Sequence, residues 1–305
     1  MASPNLRLGA RGSALSQAQA SLVARALAPW AQIETVVVKT TGDRLSAQGA
    51  PISWKGDFTK ELDEALLSGT IDFAVHSLKD VPSRLPDGLA LVSVPEREDP
   101  TDVLVAHPRR RFADLPAGAR VGTSSPRRRA QLLAARPDLR VLPARGNVDT
   151  RIRRLHEGLF DALVLARAGL ARLNRLEEIC DVFPSDTLLP AVGQGALGLV
   201  ARSDDSQVRS MLARLDHTAS HQEVLAERAV LARLEAGCRA PVAARAQAAD
   251  SSLHLSAGVF SQDGARILRE RASGPALEAE ALGRSVAERL LERGAADLIS
   301  SEGSS

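Results

Sequence analysis

The sequence predicts an α/β protein made of two lobes with mainly parallel sheets, followed by a small C-terminal α/β domain. Three observations carry this reading. Short β-rich apolar runs alternate with helical patterns through the first two hundred residues, the pattern that parallel sheets leave in a sequence. Polar breaks near 95–101 and 203–205 flank a glycine-rich return, AVGQGALGLV, which would lead the chain out of a second lobe and back into the first. The last ninety residues then change character, with a helix, a turn, two strand-like runs and a final helix. At 305 residues and 44% hydrophobic content the chain can bury cores for two or three domains. The expected division is residues 1–95 with 196–215 as the first lobe, 101–190 as the second, and 218–305 as the C-terminal domain.

Taken in order, Leu6 to Gly9 reads as a strand, Arg11-Gly12-Ser13 as a loop, and Ala14 to Leu27 as a helix capped by Ser13. Thr35 to Lys39 is a second strand. After Thr41-Gly42-Asp43 comes a Gly/Pro-containing segment to Gly56 without periodicity, expected to be a mobile loop, and a helix resumes from about Asp57 to Leu67. Ile71 to Val75 is β-rich, so His76-Ser77-Leu78-Lys79-Asp80-Val81-Pro82 leaves the carboxyl end of a buried strand. In open α/β sheets that edge is where ligands bind. Val121 to Thr123, Val141 to Pro143 and Ala162 to Leu165 repeat the pattern. Beyond them lie a helix over about Ser220 to Leu234, the turn EAGCRAP and strands near Leu253 to Val259 and Arg266 to Arg271. A helix over about Ala276 to Arg293 and a tail expected to be disordered complete the chain.

Composition excludes several classes. No apolar run approaches the roughly 18 residues of a membrane helix, and the N-terminus lacks the apolar core of a secretory signal, so a cytoplasmic location and no membrane partner are expected. Cys180 and Cys238 belong to no CxxC pair or spaced Cys/His set, which predicts neither a structural metal nor a disulfide framework. Aromatics are only 3% and tyrosine is absent, so the stacking residues that single-strand nucleic-acid binders require are missing and no nucleic-acid partner is expected.

Against a formal net charge of only +2, the stretch from Val121 to Arg154 holds nine arginines and two acids. Ser125, Pro126 and Arg127 to Arg129 read as the N-cap, N1 and opening turn of a helix, where acids are normally favoured. Cations at the positive end of a helix imply an anion nearby, and arginine binds carboxylate or phosphate through a planar fork. Asp80, beside Lys79 on a strand exit, is either a turn aspartate or an ionised acid that stabilises positive charge on a reacting ligand. Cys238 is either a buried small hydrophobe or, next to Arg239, an activated thiolate able to hold something covalently. His76 reads as structural, and Gly193 with Gly195 is too weak a pattern to mean nucleotide binding.

These features together resemble the porphobilinogen deaminase family over nearly the whole chain. The matching stretches are RGSALSQAQA from Arg11, KGDFTKELDEALL from Lys55, DFAVHSLKDVP ending at Pro82 and EREDPTDVLV from Glu96. VGTSSPRRRAQL from Val121, ARGNVDTRI from Ala144, LPAVGQGALG from Leu189 and LEAGCRAPV from Leu234 continue the series. The resemblance implies periplasmic-binding-protein-like lobes and a transferase that joins four porphobilinogen molecules head to tail, releasing ammonia, before hydrolytic release of hydroxymethylbilane. It implies a dipyrromethane cofactor attached covalently through Cys238, and Asp80 as the group assisting catalysis while an electrophilic azafulvene forms. Ser77 and Lys79 would bind cofactor or substrate. Each pyrrole brings an acetate and a propionate, which unpaired would be very costly to bury. Arg127, Arg128, Arg145 and Arg151 would meet them, with Ser125 and Thr123 donating hydrogen bonds, and Arg11, Ser13 and Arg172 would face the same cleft. Arg129, Arg136, Arg153 and Arg154 would be solvated helix faces. The family also implies a monomer.

Three positions depart from the family pattern: Asp57 stands where an apolar residue is usual, Ala236 where the turn normally has glycine, and Ala243 where glycine is common. A noncatalytic two-lobed anion-binding protein remains the competing reading, since such lobes also suit solute capture.

Overall fold

The computed structural model describes residues 4–42, 59–236 and 240–300. The chain divides into two compact units, one of residues up to Glu98 with Ala196–His221, the other of Asp99–Gly195 with the residues from Gln222 onward. The first unit opens with β1 (Asn5–Arg11), α1 (Ala14–Leu27), β2 (Gln32–Val38), α2 (Lys60–Leu67), β3 (Phe73–Ser77) and β4 (Leu89–Ser93). The second then supplies β5 (Asp102–Ala106), β6 (Arg120–Gly122), α3 (Pro126–Ala135), β7 (Arg140–Leu142), α4 (Val148–His156), β8 (Ala162–Ala166), α5 (Arg167–Arg172) and β9 (Asp181–Val182). The chain returns to the first unit for β10 (Leu197–Arg202) and α6 (Ser206–Leu212). After α7 (Thr218–Arg233) come β11 (Val242–Ala249), β12 (Ser252–Phe260), β13 (Ile267–Pro275), α8 (Ala279–Glu292) and α9 (Ala295–Ser300).

Two five-stranded sheets share one plan. Their orders are β2-β1-β3-β10-β4 and β7-β6-β8-β5-β9. In the first, β10 alone runs against its neighbours β3 and β4; in the second, β5 alone runs against β8 and β9. Both sheets are therefore mainly parallel, as the sequence predicts for the two lobes. The third sheet, β11-β12-β13, is antiparallel throughout. Parallel strands buried on both faces read as continuous apolar runs, and β3 and β8 are buried almost without interruption.

Local chemistry explains the helices that matter most for function. Ser13 caps α1, its side chain accepting from the Ser16 amide, and Ser16, Gln19, Ala20, Val23 and Leu27 form the buried stripe. Ser125 caps α3 with Pro126 in the first turn, and that turn contains no acid. Among the described residues the predicted strands shift at their ends by up to four residues, and β4, β5, β9, β10 and β11 are additional to those the sequence predicts. The sequence of β11, VAARAQAA, has one β-branched residue and no aromatic, too few to signal a strand. Its pairing with β12 supplies the missing drive, with Val242, Ala244 and Ala246 turned into the C-terminal core.

Within the second unit the C-terminal residues have their own core, centred on Val230, Leu255, Val259, Val286 and Leu290. They also pack on α3 through a cluster of Ala130, Leu189, Ala243 and Phe260. The departures at Ala236 and Ala243 fall in these interiors, where both side chains are buried; Asp57 lies outside the described residues.

Candidate functional site

In the first lobe, β1 and β3 end side by side. Arg11 closes β1, Ser77 closes β3, and Leu78–Asp80 form a single 3-10 turn whose exit is fixed by the Val81 amide donating to the Leu78 carbonyl. The Leu78 amide donates to the Ala196 carbonyl at 3.1 Å, just before the reversed strand β10 begins. Gly198 on β10 permits this approach, because a Cβ there would lie 2.6 Å from Leu78 Cδ2. From α1, buried Gln19 donates to Ser77 Oγ at 2.7 Å. Arg11, Ser13, Gln19, His76, Ser77 and Asp80 line one cavity of about 50 Å³. Asp80 is exposed and Lys79 half-buried. His76 is 6% exposed; burial lowers its imidazole pKa to about 4, with the Arg11 cation adding to the effect, so it is neutral at pH 7.

In the second lobe the arginine cluster surrounds a carboxylate that the sequence reading missed. Arg127 and Arg128 are only 3% and 6% exposed, and Asp102 is wholly buried. Arg127 Nη1 lies 2.8 Å from one Asp102 oxygen, and Arg128 Nη2 and Nε donate to the other at 2.6 and 3.0 Å. Gln194 Nε2 adds a bond to Asp102 at 2.9 Å. Backbone carbonyls complete the guanidiniums: Leu189 accepts from Arg127 at 2.5 Å and Val164 from Arg128 at 2.9 Å. Burial by itself would raise the Asp102 pKa, but the two cations and the bonds from Arg127 and Gln194 overcome it and hold the group at about 2. Burial lowers the Arg127 pKa, Asp102 counters this, and Arg128 adds to the lowering.

One carboxylate facing two buried guanidiniums leaves a surplus positive charge, and among the described residues no second carboxylate pairs with either arginine. Among the described residues, the buried Arg127 Nε has no hydrogen-bond partner. The pair stands at the start of α3, where the helix dipole is also positive. Asp102 reaches this edge because β5 runs backwards: its first residue pairs with Ala166, the last residue of β8. A signal for it was present in the sequence, since an acid opens the otherwise apolar strand DVLVA.

The remaining predicted residues sit on the neighbouring loops. Thr123 is buried and its Oγ1 accepts from the Ser125 amide, while Ser125 Oγ accepts from the Arg128 amide. Arg145 is half-buried on the loop after β7, Arg151 Nε donates to the Gly146 carbonyl at 2.7 Å, and Arg172 Nη2 donates to the Gly195 carbonyl at 2.6 Å. Gly193, with φ +69°, takes a left-handed turn and donates its amide to buried Glu227 on α7, which also accepts from the Ala246 amide. Gln131 ties α3 to the same loop, exchanging bonds with Leu189.

Two arginines expected to be solvated are not. Arg136 pairs with Asp138 and donates to the carbonyls of Phe112, Ala113 and Leu115, because it ends α3 beside that loop. Arg154 is half-buried and donates to the Arg145 carbonyl. Arg153 is exposed with a long pair to Glu157, and Arg129, also exposed, donates to the Val141 carbonyl. Cys238 lies outside the described residues.

Two family models match the chain. Residues 6–210 match the porphobilinogen deaminase, dipyromethane cofactor binding domain, and residues 221–292 the porphobilinogen deaminase, C-terminal domain. A porphobilinogen deaminase of Desulforudis audaxviator is 51% identical over 296 residues, covering 96% of each chain. One from Geobacter metallireducens is 45% identical over 303 residues, covering 98% of this chain and 95% of its own. One from Rubrobacter xylanophilus is 49% identical over 296 residues, covering 96% of each. Among solved structures, the VFT2 domain of Bordetella pertussis BvgS aligns with a TM-score of 0.42 at 20% identity, covering 74% of this chain and 92% of that one.

Proposed function

The chain belongs to the porphobilinogen deaminase family, and from that premise we propose how its own residues divide the work. The reaction is a transfer: porphobilinogen units are condensed head to tail with loss of ammonia, and hydroxymethylbilane is released by hydrolysis, a step of tetrapyrrole biosynthesis. The dipyrromethane cofactor, when bound, supplies the primer to which the first unit is joined.

The residues present fit such a group. Its carboxylates need cationic, hydrogen-bonding partners if they are to leave water, and the second lobe holds two buried guanidiniums with one internal counter-ion and an unpartnered Nε donor. That surplus charge is the observation that carries the proposal. Arg127, Arg128, Arg145, Arg151 and Arg172 hold carboxylates of the cofactor and growing chain, and Thr123 and Ser125 add hydrogen bonds. Asp102 fixes the first two arginines in place. Cys238 is the attachment point.

In the first lobe, Arg11, Ser13, Ser77 and Lys79 orient the incoming substrate. Asp80 keeps negative charge beside the substrate pyrrole while its aminomethyl C–N bond breaks and the bonding electrons leave with ammonia. Such charge is worth most where water is excluded. The domains act as residues 1–95 with 196–215, 101–190 and 218–305. We further propose a monomer in the cytoplasm that acts without nucleic acid or membrane. Among the described residues no helix is long and apolar enough to cross a membrane.

Intact-protein mass spectrometry of freshly purified protein tests the assignment. The expected mass exceeds that of the polypeptide by one thioether-linked dipyrromethane, and Cys238→Ser removes the excess. A bare polypeptide mass in protein that nevertheless turns over porphobilinogen would remove the covalent anchor from the proposal.

A further inference from the structure

We propose that His76 is a carboxylate-binding residue of the first-lobe cavity, its imidazole N–H joining the Arg11 guanidinium on one carboxylate arm of the pyrrole substrate. This rests on the assignment of that cavity to porphobilinogen. The placement follows from strand alternation. Phe73 and Val75 of β3 turn into the core that α1 covers, as do Leu8 and Ala10 of β1. Ala74 belongs to the core on the other face, beneath α2, and His76 and Arg11 share that side by the two-residue period. The register Leu8↔Phe73 and Gly9↔Ala74, carried two residues further, sets Arg11 opposite His76 at the ends of their strands.

His76 lines the same cavity as Arg11 and Asp80, yet among the described residues its buried Nε2 has no hydrogen-bond partner. Folded proteins rarely leave a buried polar nitrogen unmatched, and the exceptions gather where a ligand completes the set. A cavity of about 50 Å³ accommodates a carboxylate arm with a little water. A neutral imidazole has one N–H to offer, and a carboxylate accepts from several donors at once. Asp80, exposed on the turn, repels an anionic arm, so the arm settles against Arg11 and His76 and the ring is left toward Asp80.

The test compares the loaded wild-type protein with His76→Phe, which keeps the ring and deletes the N–H, and with His76→Gln, which restores a donor at similar reach. Losing a hydrogen bond to a charged group should raise KM for porphobilinogen about tenfold or more, with kcat changed much less. Unliganded His76→Phe should melt no lower than wild type, because an unmatched polar group has been removed, and His76→Gln should recover most of the KM. A KM for His76→Phe within twofold of wild type overturns the proposal. So does equal impairment of the two variants with lowered melting, which marks a structural histidine. If His76→Phe does not fold, His76→Leu against His76→Gln decides by the same comparison. Wild-type protein that fails to turn over porphobilinogen removes the underlying assignment and this proposal with it, an outcome that no variant is needed to recognise.

Discussion

Replacing Asp102 by Asn keeps the shape of the side chain and deletes its charge, leaving two buried guanidiniums facing each other without a counter-ion. The cost can be worked from the structure. Asp102 is held at about 2 against an ordinary 3.8, and a tenfold change in proton affinity is worth about 1.4 kcal/mol, so its ionised form contributes about 2 kcal/mol at pH 7. Removing one partner of a buried ion pair costs about 3–5 kcal/mol in all, because the charge left behind is stranded. For a chain of this size that corresponds to a fall in the unfolding midpoint on the order of 10 °C. The assay is thermal unfolding of wild type and Asp102→Asn from pH 2 to pH 8. A depressed carboxyl pKa adds stability that is complete above the unfolded value and disappears as pH falls through the folded one. The gap between the two proteins should therefore be constant above about pH 5 and shrink between about pH 4 and pH 2. Midpoints within 1 °C of each other at pH 7 would refute the claim that Asp102 holds the arginines.

Asp80→Ala should fold as wild type does, Asp80 being exposed, and lose nearly all formation of hydroxymethylbilane; substantial turnover in a single-turnover assay would take Asp80 out of the mechanism. Cys238→Ser should fail to retain a thioether-linked cofactor, and a fully loaded, active Ser variant would show the anchor to be elsewhere. Asp63 is buried on α2, and burial raises its pKa to about 6 against the opposing bond from Thr59. A carboxyl group with a raised pKa weakens the fold as pH climbs from about 4 through 6. Asp63→Asn should thus stabilise the protein at pH 7 by about 1–3 kcal/mol and lose that advantage near pH 4; an advantage unchanged over this range would contradict the raised pKa.

The parallel cores were legible because apolar runs such as FAVHS and ALVLA stay buried along nearly their whole length, and the α3 cap because Ser-Pro is a local signal. What escaped was set by tertiary contact. The strand β11 is alanine-rich and exists because β12 offers it a partner. Arg136 has the composition of a surface residue and becomes a clamp only because the 112–115 loop lies against the end of α3. Asp102 is separated by 25 and 26 positions in sequence from the arginines it pairs with, so no local window joins them. The unmatched nitrogen of His76 was invisible for a similar reason: a histidine after an apolar strand reads as structural until its surroundings are known.

The hold on the arginine pair and the hold on the turn that carries Asp80 both follow from the one irregularity that the two lobes share. Parallel strands deliver their carboxyl ends, and the loops beyond them, to a single edge of each sheet; a reversed strand delivers its amino end to that same edge. The chain enters the second unit at Asp99 and the first again at Ala196, and in each case the reversed strand begins within three residues. The crossing segments therefore run directly into the two ligand edges. At one, the crossing contributes Asp102, which binds the arginine pair; at the other, Ala196 accepts from Leu78 and holds the turn that presents Asp80. Displacing either crossing by a residue would reverse the faces of its strand and take an internal partner away from the groups assigned to the chemistry. The sites are thus tied to the points where the chain changes unit, and insertions at 99–101 or at 194–196 should disable the protein far more than insertions of equal length in the exposed turns near Asp87 or Gly118.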